Sequence, residues 1–167
     1  MGKIRGRVLK YGDNVDTDGI IPARYCTSFL AADLAPHAME DVDPEFSRKV
    51  RDGDILVAGR NFGCGSSREN APLALKGAGI AAVVAKSFAR IFYRNAINIG
   101  LPLVESEEAV LTCQEGEEME IDLDRGLIYN RSRGLQANVQ PYPFLMQEIL
   151  AMGGMVAFVK KRLAERN

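Results

Sequence analysis

Residues 59–69 hold the residue types best suited to chemistry: Gly59-Arg-Asn-Phe-Gly-Cys-Gly-Ser66-Ser67-Arg68-Glu69. Glycines at 59, 63 and 65 let the backbone pass through positive φ and approach a ligand closely. The helix-like stretch that follows opens with two hydroxyls, a guanidinium and a carboxylate. A helix N-terminus offers unpaired N–H groups and the positive end of the helix dipole. Ser67, Arg68 and those N–H groups, with Gly65 beside them, can therefore hold a carboxylate or phosphate. Ser66 is placed to act on whatever they hold. The same spacing also suits a plain glycine turn whose serine caps a helix, and spacing alone leaves both readings open. Two phosphate motifs are excluded. Arg68 stands where the third glycine of G-x-G-x-x-G belongs, and no Gly-Lys-Ser/Thr follows as in a Walker A loop.

Other chemistry-bearing residues are sparse. Cys26, Cys64 and Cys113 are too far apart in sequence for a C-x-x-C metal or redox motif, and free thiols are expected. Cys64 lies in the glycine loop, but no neighbouring histidine supports it as a nucleophile. His37 is the only histidine, so no metal site is expected in this chain. The acidic run Asp13-Asn-Val-Asp16-Thr17-Asp18 fails the EF-hand pattern in its glycine and its closing glutamate. It reads as a polar turn.

The elements that position the glycine loop follow from periodicity. Alternation predicts a strand over 3–11, and apolar runs predict strands over 54–59, 81–86 and 101–105. Helices are predicted over 34–40, over 69–77 and, capped by Ser87, over 88–97, with a helical turn started by Asp43-Pro44. The strand–helix–strand–helix–strand order argues for parallel pairing. A hairpin is predicted from 117–124 and 126–129 around Asp-Arg-Gly, then a loop over 131–142. A helix is predicted over 144–152, and after Gly153-Gly154 a last short strand or helix. Residues 25–32 read as a mobile loop. The chain is expected to form one domain over residues 1–167.

Bulk composition narrows the function classes. A net charge of −1 gives no electrostatic case for nucleic acid or an anionic membrane surface. No apolar run approaches the ~20 residues of a membrane span. The basic N-terminus lacks the apolar stretch of a signal peptide. A cytoplasmic protein is expected.

Three segments together carry a specific resemblance: Gly12-Asp-Asn-Val-Asp-Thr-Asp-Gly-Ile-Ile-Pro22, Asn61-Phe-Gly-Cys-Gly-Ser-Ser-Arg-Glu69 and Ala85-Lys-Ser-Phe-Ala-Arg-Ile-Phe-Tyr-Arg-Asn-Ala-Ile-Asn-Ile-Gly-Leu-Pro102. In this order and spacing the chain resembles the small subunits of 3-isopropylmalate dehydratases, in the short archaeal-type form of this aconitase-related family. The resemblance covers essentially the whole chain. It implies an α/β fold, the swivelling β/β/α domain that corresponds to the C-terminal domain of aconitase. It implies a separate large subunit that carries a [4Fe–4S] cluster, with no cofactor in this chain. It implies a hydro-lyase acting on a malate-type substrate, which converts 2-isopropylmalate to 3-isopropylmalate through isopropylmaleate in leucine biosynthesis. By the resemblance Ser66 is the base, acting as an alkoxide, and Ser67 and Arg68 bind a substrate carboxylate. Asp16, Thr17 and Asp18 match the first motif at the edge of the site, where turn and cap formation is an equal reading. The matching Lys86-Ser87-Phe88-Ala89-Arg90 segment is read as mainly structural, with an interface contact as a further reading for Arg90 and Arg94. A vacant interface would let the isolated chain self-associate.

Specificity in the family is read by the loop after Ile-Ile-Pro, here Tyr25-Cys26-Thr27-Ser28. Homoaconitase small subunits place Tyr-Leu-Arg-Thr there, and Thr27 takes the arginine's place. A third substrate carboxylate would be poorly held, which favours an uncharged isopropyl group, although Arg24 lies close by. Phe29-Leu30 stand where polar residues are common, and Asn70 replaces the usual histidine after Ser-Ser-Arg-Glu. The sequence therefore leaves open homoaconitase, 2,3-dimethylmalate dehydratase or citramalate dehydratase chemistry. It also leaves a non-catalytic anion-binding module, or a purely structural subunit in which Ser66 and Arg68 are replaceable.

Overall fold

The strand expected at 3–11 forms as β1 (Ile4–Lys10), and it joins two different kinds of sheet. The computed structural model describes residues 2–167. Val8–Lys10 run parallel to β2 (Ile55–Ala58), with Val8 opposite Ile55. Residues 4–7 run antiparallel to β5 (Glu118–Asp122), with Ile4 opposite Ile121. Beyond β2 lie β3 (Ala82–Ala85) and β4 (Leu103–Glu105), both parallel as the strand–helix order predicts. Beyond β5 lie β6 (Leu127–Asn130) and β7 (Leu135–Asn138), both antiparallel. The curled sheet has the order β4-β3-β2-β1-β5-β6-β7.

Every residue of β2 and β3 is buried, which explains their unbroken apolar sequences. Successive side chains point to opposite faces and feed two cores. Leu56, Ala58, Val83, Ala85 and Leu103 pack with Ile20, Leu34, Phe46, Leu75 and Phe92. Ile55, Val57, Ala82, Val84 and Val104 pack with Val8, Met119, Ile121, Ile128 and Leu150. The helices are α1 (Thr17–Ile20), α2 (Ala31–Leu34), α3 (Phe46–Lys49), α4 (Asn70–Gly77), α5 (Arg90–Asn98), α6 (Glu107–Thr112), α7 (Phe144–Ala151) and α8 (Met155–Ala164). The first core gathers α1, α2, α4 and α5 beside the parallel strands. The antiparallel half closes the second.

Three expectations are corrected, and one helix is added. Residues 131–142 are not all loop: β7 forms there and pairs with β6. Leu-Gln-Ala-Asn is a weak strand sequence in which only Ala137 is buried, so the ladder rather than burial holds it. Ser87 does not cap a helix, because residues 87–89 are drawn into a bridge between Phe88 and Phe62. The helix starts at Arg90 instead, with Ala89 as its N-cap. The helix expected at 34–40 begins earlier, at Ala31, and tightens into a 3₁₀ turn (Ala35–His37) around Pro36. Helix α6 had no counterpart in the periodicity reading. Its signal is Ser106, whose side chain accepts the Ala109 N–H at 3.1 Å, followed by two glutamates in the first turn. After Gly153-Gly154 the chain takes the helical option, as α8.

Glu117 ties the antiparallel half together. Its carboxylate pairs with Arg133 and accepts Asn130 Nδ2 at 2.7 Å and the Gln114 N–H at 2.9 Å. Burial alone would raise its pKa, but these donors outweigh it and pull the group down from 4.5 to about 2. A folded pKa below the unfolded one contributes stability that is complete above about pH 4.5 and is lost as pH falls toward about 2. Urea midpoints across that window should therefore fall more steeply for the wild type than for Glu117→Gln. Parallel acid limbs would remove Glu117 as their source.

Candidate active site

The three motifs converge on one stretch of backbone. Residues 15–17 run beside 63–66: Gly63 N–H donates to the Val15 carbonyl at 2.8 Å, and Thr17 N–H donates to the Cys64 carbonyl at 2.9 Å. Asp16 and Cys64 form a parallel bridge. Thr17 Oγ1, almost fully buried, donates to the Ser66 carbonyl at 2.9 Å. On the other side Phe62 N–H donates to the Ser87 carbonyl at 3.1 Å, and Ala89 N–H returns to the Phe62 carbonyl at 3.0 Å. The Phe62 ring, fully buried, meets Phe92 edge-on with centroids 5.3 Å apart. The glycine loop is thus held between the first and third motifs, with an aromatic anchor beneath it.

Above this frame lies a cleft of about 350 Å³ lined by Thr17, Gly63, Gly65, Ser66, Ser67, Arg68 and the first turn of α5. Ser66 and Ser67 are exposed, and neither hydroxyl bonds to another described residue. Neither caps α4, whose N-cap is Glu69 without a side-chain hydrogen bond. Arg68 is only 20% exposed. Its Nη1 pairs with Asp18 and reaches the Ile21 carbonyl at 3.5 Å. The opposite edge of the guanidinium, Nε with Nη2, remains for a bidentate grip on a carboxylate. Asp16 caps α1 by accepting the Gly19 N–H at 2.7 Å.

The residues of the loop after Ile-Ile-Pro do not line this cleft. Arg24 turns onto Asp41 at 2.9 Å and Glu40 at 3.6 Å, and its guanidinium lies 4.8 Å from the centre of the Tyr25 ring. Tyr25 stacks on His37 at 3.6 Å, Cys26 lies over the Pro22 carbonyl, and Thr27 is exposed. Arg90, outside the residues expected at the site, lines the cleft with Ser66. Its signal in the sequence is its position just after the Ser87–Ala89 segment that bonds to the glycine loop. A larger cavity of about 480 Å³ lies between Arg90, Tyr93 and Tyr142 and includes none of the serine loop.

The Aconitase C-terminal domain family matches residues 32–108. Over 160 residues the chain is 54% identical to the 3-isopropylmalate dehydratase small subunit of Caldanaerobacter subterraneus, covering 96% of this chain and 99% of that one. Over 168 residues it is 57% identical to the small subunit of Nautilia profundicola, covering 99% of each. This chain belongs to the 3-isopropylmalate dehydratase small-subunit family. The crystal structure of a 3-isopropylmalate dehydratase from Methanocaldococcus jannaschii superposes with a TM-score of 0.93 at 47% identity, over 99% of this chain and 98% of that one. The α/β fold expected from the resemblance, that of the aconitase C-terminal domain, is the one observed.

Membership in this hydro-lyase family gives the open serines and the half-free guanidinium a chemical context. Among the described residues no group of three or more His, Cys, Asp or Glu side chains is placed to hold a metal. Of the three thiols, Cys113 is buried, and burial raises its pKa away from the thiolate form a metal needs. The donor set of this small subunit does not fit an iron–sulfur cluster. Among the described residues no helix is long and apolar enough to cross a membrane.

Proposed function

We propose that this chain is the small subunit of a 3-isopropylmalate dehydratase. With a cluster-bearing large subunit it interconverts 2- and 3-isopropylmalate through isopropylmaleate, in leucine biosynthesis and in the cytoplasm. The observation that carries this reading is near-full-length identity to such small subunits, together with the open Ser66-Ser67-Arg68 cleft. In this reading the whole chain moves as one swivelling domain that brings the cleft to the partner.

Dehydration needs a base for a weakly acidic C–H, acid assistance for the departing hydroxyl, and clamps for two carboxylates. The [4Fe–4S] cluster of the large subunit supplies Lewis acidity when bound. This chain supplies the rest of one face. Arg68 grips a carboxylate through Nε and Nη2, and Ser67 adds a hydroxyl donor. Ser66 Oγ takes the carbon-bound proton. A serine alkoxide is costly, and the Arg68 charge and nearby N–H groups lower that cost. Thr17 matters by fixing the Ser66 carbonyl, which sets the direction of the nearby Oγ. Asp18 holds one edge of Arg68 and leaves the other to the substrate.

The test is anaerobic turnover by this chain with its cluster-loaded large subunit, offered 2-isopropylmalate, homocitrate and 2,3-dimethylmalate side by side. Preference for 2-isopropylmalate is expected, because Thr27 provides no charge for a third carboxylate. Preference for homocitrate would mean that Arg24 leaves Asp41 to bind that carboxylate, and would overturn the substrate assignment.

A further inference from the structure

Helix α4 carries the anion-binding end of the cleft, and it also holds the loop at 25–30. Asn70, its first residue, is 5% exposed. Its Nδ2 donates to the Ser28 carbonyl at 2.7 Å, across a sequence separation of 42 residues. Ser28 is itself a local organiser. Its hydroxyl donates to Asp33 at 2.7 Å and accepts the Leu30 N–H at 3.1 Å. At the other end of α4, a Cβ on Gly77 would come within 2.7 Å of the Ala31 carbonyl, so α2 lies directly against the helix there. The loop is therefore fastened to α4 at Ser28 and again at Ala31. Between these points Phe29 and Leu30 project into solvent, 69% and 66% exposed.

We propose that Asn70 is a positioning residue that sets substrate selectivity. It fixes the height of the Ser28–Phe29 peptide relative to Arg68, two residues earlier on the same helix start. This rests on the reading that the loop at 25–28, which stands outside the cleft of the isolated chain, meets the substrate's side group in the assembled enzyme while Ser66–Arg68 meet its carboxylate. The two contacts then share one rigid ruler. A side chain at 70 that cannot donate lets the loop drift while the carboxylate grip stays where it was. Binding of the side group suffers and the chemical step does not.

Asn70→Asp is the sharp variant, because it keeps the shape but sets a carboxylate against the Ser28 carbonyl. Asn70→His is its conservative partner, with an Nδ1–H the same number of bonds from Cα as the Asn amide. In the assembled enzyme, Asn70→Asp should lower kcat/KM for 2-isopropylmalate by about ten- to a hundredfold, carried by KM. Its preference for 2-isopropylmalate over citramalate, which has a methyl in place of the isopropyl, should fall by at least about fivefold, a fraction of the roughly 10–200-fold that a methylene-sized contact decides. Asn70→His should restore most of both. Amide hydrogen exchange in the intact chain should quicken at residues 26–30 in Asn70→Asp and stay unchanged in β2 and β3. An unchanged substrate preference, a loss confined to kcat, or unchanged exchange at 26–30 would each overturn the proposal. If the wild-type complex failed to turn over 2-isopropylmalate, the functional reading would fall, and the exchange measurement would still decide whether Asn70 holds the loop.

Discussion

Ser66→Ala is expected to abolish turnover while leaving the chain as stable as before and able to assemble with its large subunit. The two halves of this expectation have separate causes. Removing a positioned general base lowers the rate by about 10²–10⁴-fold. The hydroxyl is solvent-exposed and bonds to no other described residue, so its loss orphans no buried partner. The stability change should stay within about 0.5 kcal/mol, as for other surface substitutions away from special features. A helix-capping serine would behave in the opposite way, losing about 1 kcal/mol of stability with activity kept. The cap of α4 at Glu69 already points away from that. The measurement is the rate of isopropylmaleate hydration, followed by loss of its alkene absorbance, alongside thermal melting and co-elution with the partner. Turnover within tenfold of wild type would sink the assignment of Ser66 and favour a structural subunit.

Much of the candidate site is legible in the sequence because its residues lie close together along the chain. Gly63, Gly65, Ser66, Ser67 and Arg68 fall within six consecutive residues, and they line one cleft together. The parallel strands were legible for the same reason, since a fully buried strand must be apolar at every position, as Ile55–Ala58 and Ala82–Ala85 are. What the sequence hid was set by partners far along the chain. Leu135–Asn138 becomes a strand only because β6 presents a free edge to it. Ser87 has the look of a cap, but its carbonyl is taken by Phe62 and its hydroxyl by the Asn61 N–H at 2.8 Å, so the helix waits for Arg90. Arg24 stands two residues after Pro22 and looks available for a substrate, but Asp41 and Glu40 claim it from across a turn. Asn70 is a departure with no explanation in its own sequence neighbourhood, and its hydrogen-bond partner is a carbonyl 42 residues away.

Gly63→Ala should damage both stability and activity, which separates it from Ser66→Ala. Gly63 has φ of +82°, where an L side chain is strained by about 1–3 kcal/mol. Its Cβ would also come 2.2 Å from Cγ and 2.5 Å from Cβ of Phe92. Phe92 cannot step aside easily, because it is 2% exposed and packed edge-on against Phe62. Overpacking of that kind costs about 1–3 kcal/mol more. The expected loss of about 2–6 kcal/mol is a large part of the 5–15 kcal/mol that holds a typical domain folded. Relief by movement of the loop would carry Ser66, three residues on, away from its place over the cleft. A displacement of about 1 Å costs on the order of 10²-fold in rate. Chemical denaturation and turnover should therefore fall together. Phe92→Gly supplies the control, since it removes both the ring and the Cβ that the new methyl would meet. If the clash is the cause, the double variant Gly63→Ala/Phe92→Gly should lose clearly less than the sum of its parts, with a coupling of about 0.5–3 kcal/mol. Strict additivity would mean that positive φ alone sets the requirement for glycine, and that the aromatic floor does not constrain the serine loop.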